Sequence, residues 1–146
     1  MSRVIAIDPG LSKCGVVIAD IKEKRVYEAV VVKSQLVLKY VKTKYQREKN
    51  VQLLIGNGTG SKNYIKYLNQ FEPDLIIAEE KNSTYRAKQR YFDIFPLKGI
   101  KCFLPREIFI LNKNLDALAA LIIMEDFFNI KFDVSEKIKT KTWLKS

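Results

Sequence analysis

The chain has 146 residues, 47% of them hydrophobic and 29% charged, the profile of one folded domain with a real core. Lysine and arginine number 26 against 16 aspartates and glutamates, a net charge of +10 that points to a polyanionic partner, above all nucleic acid. There is no histidine, which excludes Ser-His-Asp and Cys-His catalysis and His-bearing zinc sites, and two cysteines make neither an all-cysteine zinc site nor a disulfide framework.

No apolar run reaches the roughly 18–20 residues of a membrane span, and the opening MSRVIAIDPG carries no cleavable signal pattern. The expectation is a cytoplasmic protein with no membrane partner. Residues 4–8 and 14–20 are β-branched and apolar with little alternation and read as buried strands, joined by an Asp-Pro-Gly turn. Residues 25–33 alternate better, with Val26, Val30 and Val32 on one face and Glu28 in the same register. Ser34 is the expected N-cap of a helix over 35–49, with Val37, Leu38, Val41 and Tyr45 as its apolar stripe and its lysines on a solvated face.

A short strand over 52–55 leads into Gly56-Asn57-Gly58-Thr59-Gly60-Ser61. Thr59 or Ser61 would cap a helix carrying Tyr64, Ile65, Leu68 and Phe71. Residues 75–78 form a strand ending on Glu79-Glu80, and Ser83 or Thr84 caps a basic helix, YRAKQRYF. Residues 100–104 read as a last strand, and a final helix starts near Asn112 to Asn114 and ends near Phe128. Residues 1–132 form one domain, followed by a basic tail over 133–146 attached through Trp143. The order β-β-β-α-β-α-β-α-β-α predicts an α/β protein: a mixed sheet, three-strand antiparallel meander plus parallel strands, with helices on both faces.

In open α/β sheets ligands bind beyond the carboxyl ends of strands. Asp8 ends the first strand, Glu79 and Glu80 end the strand after the second helix, and Asp116 lies in the first turn of the last helix, in line with Ala119, Ala120, Ile123 and Phe127. Each has a plain alternative as a turn residue, a solvent-facing charge or a helix-dipole partner. Together they place acids at three converging element ends of a basic chain, and three clustered carboxylates repel one another unless Mg²⁺ or Mn²⁺ neutralises them. Such a cluster suits two-metal phosphodiester hydrolysis.

The chain resembles the YqgF-like (RuvC-like) branch of the RNase H-like nuclease superfamily over residues 3–128, through IAIDPGLSKCGVVIAD, LLIGNGTGS, IIAEEKNSTYRAKQRYF and NLDALAALII in that order. The resemblance implies a five-stranded RNase H-like sheet and a divalent-metal-dependent nuclease site. It also implies a role in structured nucleic acid, either rRNA precursors or Holliday junctions, where junction cutting calls for a homodimer. By this resemblance Asp8, Glu80 and Asp116 are the metal-binding and catalytic acids, with Glu79 where the family has an aspartate. RuvC proper has a further acid in its final helix, and Leu115 and Ala117 supply none here.

Gly58, Thr59 and Ser61 could cradle a phosphate with backbone N–H groups, or serve as a helix-capping connection. The loop lacks a Walker ending. Lys81, Arg86, Lys88 and Arg90 are candidate phosphate contacts, with Arg86 and Arg90 spaced to project together and Tyr85 or Tyr91 available for stacking; Lys13 in the first hairpin is another. A solvated basic face is the alternative. Two rival functions stand beside a nuclease: a non-catalytic nucleic-acid-binding module on the same fold, and a fragment of the actin/sugar-kinase type, which would need a second domain.

Overall fold

The structure, a computed structural model, describes residues 2–58, 60–80, 83–94 and 112–135, and at 83–85, 88 and 112–115 the helical backbone alone. Strands β1 (Arg3–Asp8), β2 (Lys13–Asp20) and β3 (Arg25–Lys33) form an antiparallel meander. Helix α1 (Ser34–Arg47) leads to β4 (Val51–Gly56), which pairs parallel with β1. Helix α2 (Ser61–Leu68) leads to β5 (Ile76–Ala78), parallel to β4. Helices α3 (Ser83–Ile94) and α4 (Asn112–Phe128) follow, and β6 (Asp133–Val134) closes the described chain.

The sheet order is β5-β4-β1-β2-β3-β6: the parallel strands β5-β4-β1 and the antiparallel meander β1-β2-β3 meet at β1, which is the RNase H-like arrangement, and β6 adds to β3 in parallel. The sheet has six strands among the described residues, not five. The sixth comes from residues 133 and 134, which the sequence assigns to the tail: they pair with Arg25 and Val26, and Asp133 N–H donates to the Lys24 carbonyl at 2.7 Å. The strand expected over 100–104, with Cys102 and Trp143, lies outside the described residues.

Strand alternation divides the core into two layers. Val4, Ala6, Val17, Ala19 and Leu54 face α3 and α4, whereas Ile5, Ile7, Val16, Ile18, Leu53 and Ile55 face α1 and α2. Burial on both faces explains why these strands read as continuous apolar runs. Val26 departs from the expected pattern. The β2–β3 register shifts between Ile18 and Ala19, so Ile18 pairs with Glu28 and Ala19 with Val26, leaving Tyr27 as an extra residue. A bulge inverts the alternation beyond it. Val26 therefore joins Ala29 and Val31 under α4, while Val30 and Val32 face α1. Glu28 stays on the α1 side, bonded by Tyr40 and by Lys44 Nζ at 2.6 Å.

Ser34 and Ser61 are first helical residues rather than caps. Lys33 precedes α1 and Gly60 precedes α2, neither with a side-chain cap, and Ser34 N–H is taken by the Ser12 carbonyl at 3.0 Å. Helix α4 is buried almost all round from Ala117 to Glu125 because it lies between the sheet and α3. Two charged residues are buried between α3 and α4. Arg90 Nε donates to Glu125 Oε1 at 3.0 Å and its NH2 to the Phe132 carbonyl at 2.7 Å, while Phe132 N–H donates to Glu125 Oε2 at 2.8 Å. This pair anchors the chain that carries β6.

Candidate active site

Four positions at one end of the sheet share the strand parity that faces α4: Asp8 on β1, Gly15 on β2, Gly56 on β4 and Glu80 just past β5. Asp8 pairs directly with Gly15. At Gly15 an added Cβ would overlap the backbone carbonyl of Asp116 and crowd the amide nitrogen of Ala117. The missing side chain lets the second turn of α4, where Asp116 sits rather than in the first turn expected, rest on the sheet beside Asp8, which delivers Asp116 to the first-strand acid. Gly15→Ala should therefore lift that end of α4, at a cost of about 1–3 kcal/mol or more, the scale of overpacking. Urea unfolding would read it, and an unchanged midpoint would show that the helix can shift freely.

The second acid is seated in the same way. Glu79 is exposed and Glu80 is half-buried. The Glu80 carboxylate lies against Gly56 and Gly58, where a Cβ at either position would overlap it. Asn57 fixes the approach: its N–H donates to the Ala78 carbonyl at 2.9 Å, and its Oδ1 accepts from Glu80 N–H at 3.2 Å. Gly58 thus meets a carboxylate side chain, Ser61 is buried at the start of α2, and Thr59 lies outside the described residues. The hairpin between β1 and β2 is held by Gly10, whose carbonyl accepts from Tyr64 of α2 at 3.0 Å and whose N–H meets Cys14 Sγ at 3.5 Å.

The three acids feel one another. Burial, then the Glu80 charge and a hydrogen bond to Glu80, then the Asp116 charge push Asp8 from 3.8 up to about 8. Glu80 Oε1 and Asp116 Oδ2 are buried oxygens with no hydrogen-bond partner. Lys13 Nζ stands 3.4 Å from that Asp116 oxygen, an ionic contact rather than an aligned hydrogen bond. Unpartnered carboxylate oxygens and an acid forced to keep its proton are what a hard cation with oxygen ligands would relieve, so the donor set fits Mg²⁺ or Mn²⁺. Among the described residues no three acidic or cysteine side chains are closed up into a ready ligand set. The acids converge without closing.

The raised Asp8 pKa has a signed consequence. Between pH 3.8 and about 8 the folded chain holds a proton at Asp8 that the unfolded chain has released. The unfolded state therefore binds fewer protons, and stability falls as pH rises across that window. In EDTA the melting temperature of the wild type should drop from pH 5 to pH 8 more than that of Asp8→Asn, which carries no proton to lose. Parallel curves would refute the coupling.

The basic candidates separate. Arg86 is about two-fifths exposed and ion-paired with Asp126. Arg90 projects beside it toward the same cavity, but its side chain is 10% exposed and engaged by Glu125 and the Phe132 carbonyl, unlike the more open Arg86. Lys13 is half-exposed beside the acids. Lys81, and the side chains of Lys88 and Tyr85, lie outside the described residues. A cavity of about 480 Å³ between α3 and α4 is lined by Arg86, Arg90, Asp93, Glu125, Asp126 and Lys131, and touches none of the three acids. Sequence reasoning passed over Gly15, and it placed Gly56, Asn57 and Tyr64 in a loop and a helix without linking them to the acids. An isolated glycine inside the β-branched run KCGVVIAD is the signal that marks Gly15.

Fold and site together define an α/β protein of RNase H-like topology with a convergent carboxylate group at the end of its central strand. No protein-family model matches the chain, and no curated protein matches it. Among solved structures with a similar backbone is RuvC of T. thermophilus in complex with a Holliday junction substrate, at 15% identity and a TM-score of 0.46, covering 91% of this chain and 100% of that one. Among the described residues no helix is long and apolar enough to cross a membrane.

Proposed function

We propose that the chain is a divalent-metal-dependent nuclease that hydrolyses phosphodiester bonds in structured nucleic acid, an rRNA precursor or a Holliday junction. The carrying observation is the convergence of Asp8, Glu80 and Asp116 with two buried, unpartnered oxygens and an Asp8 pushed up to about 8. These residues would hold Mg²⁺ or Mn²⁺, which when bound supplies Lewis-acid polarisation of the phosphate and lowers the pKa of water. Glu80 is oriented by Asn57 through its backbone, and Asp116 by the seat at Gly15. The net charge of +10 favours the polyanionic substrate, with Arg86 and Lys13 as the described cations for its phosphates. Loading with metal would rise with pH, because Asp8 must release its proton first. A junction has two strands to cut, so that substrate would call for two copies of the chain in the cytoplasm.

The acids' failure to close into a ligand set favours one alternative, a nucleic-acid-binding module without cleavage. Labelled four-way DNA junction and rRNA precursor, incubated with Mn²⁺ or EDTA, decide between them. Metal-dependent cutting of one substrate is the expected result. Salt-sensitive binding with no cutting of either would establish the module instead.

A further inference from the structure

Lys13 occupies an unusual place for a surface lysine. It opens β2 on the strand parity of Gly15, so it stands on the side of the sheet that carries Asp8 and Asp116. Its ammonium lies 3.4 Å from Asp116 Oδ2, the oxygen that has no hydrogen-bond partner. The lysine side chain is 43% exposed and the aspartate 30%, so the contact is screened and can exchange. The tip that bears Lys13 is otherwise fixed, by Tyr64 on the Gly10 carbonyl and by Ser34 N–H on the Ser12 carbonyl at 3.0 Å. The backbone is pinned and the charged end is free to leave.

We propose that Lys13 is a resident counter-cation for Asp116 that a divalent ion displaces on binding, so that Lys13 sets how tightly the site loads. This rests on the metal-dependent reading of the three acids. With no divalent ion, one lysine charge offsets part of the repulsion among them. When the ion takes the Asp116 oxygen, two cations cannot share it closely, and the ammonium swings outward to the hairpin tip beside the 81% exposed Leu11. Loading the site and presenting a positive charge to an incoming phosphate become one event.

Mn²⁺ titration of the intact chain tests this without any substrate, by the loss of the free-ion electron paramagnetic resonance signal, on wild type, Lys13→Met and Lys13→Arg. Lys13→Met should bind Mn²⁺ about two- to fivefold more tightly, the worth of a partly exposed ion pair, and Lys13→Arg should track the wild type. Equal affinity in wild type and Lys13→Met overturns the counter-cation role and leaves the metal site standing, as does weaker binding in Lys13→Met. No Mn²⁺ binding by any of the three overturns the metal-dependent reading itself. Circular dichroism on each variant confirms that the fold is kept.

Discussion

Replacing Asp8 with asparagine is expected to abolish metal-dependent cleavage while leaving the fold intact. The two halves of that expectation have one origin. Without a cation, burial and the neighbouring charges of Glu80 and Asp116 already hold Asp8 protonated near neutral pH. Asparagine has the same shape and the same lack of charge, so it substitutes for the metal-free state with little strain. What it cannot do is release a proton and become an anionic ligand. Activity should fall by at least about 10²-fold, the scale for removing one electrostatic partner at a reacting centre. The wild type should gain melting temperature in millimolar Mn²⁺, and Asp8→Asn should gain much less. A mutant that cuts as well as the wild type would sink the assignment of Asp8, whatever its stability.

The largest effect on stability is expected at Glu125. Its carboxylate takes the Arg90 guanidinium and the Phe132 N–H, and both charged residues are 9% exposed. Glu125→Leu would leave the buried guanidinium with only a 4.0 Å contact to the exposed Asp93 for charge compensation, a loss of about 3–5 kcal/mol. The urea midpoint should fall at an unchanged slope. The double replacement Arg90→Met, Glu125→Leu should recover most of the loss, because no charge is then stranded. It should not recover all of it: the Phe132 N–H and carbonyl both lose partners, at about 1–3 kcal/mol for each buried group left unsatisfied. A single-mutant loss below 1 kcal/mol would mean that water reaches the pair.

Much of the sheet is legible in the sequence because its strands are buried on both faces and so spell out unbroken β-branched runs, as in VIAID and CGVVIAD. Helix α4 is legible for the same reason, and the three acids stand out because each sits where an apolar element ends. The rest depends on contacts that local sequence does not encode. Arg90 looks like one more cation on a basic helix, yet Ala87 and Ile94 flank it on the inward face of α3, and its partner lies 35 positions later. The bulge at Tyr27 turns Val26 over with no glycine or proline to announce it. Gly56 and Gly58 read as a phosphate cradle because glycine-rich loops before helices often are one. Here their open space is filled by a carboxylate that arrives from a different strand.

The contact between Gly15 and the second turn of α4 also bears on when the three acids come together. Asp8 and Glu80 stand on neighbouring parts of the sheet, but Asp116 reaches them only because α4 lies down on β2. On a ribosome, a chain whose strands β1 to β5 have paired while α4 is still in the exit tunnel carries Asp8 and Glu80 without Asp116. Docking of α4 is what brings Asp116 to the other two acids, so the order of folding along the chain sets the order in which the three come together.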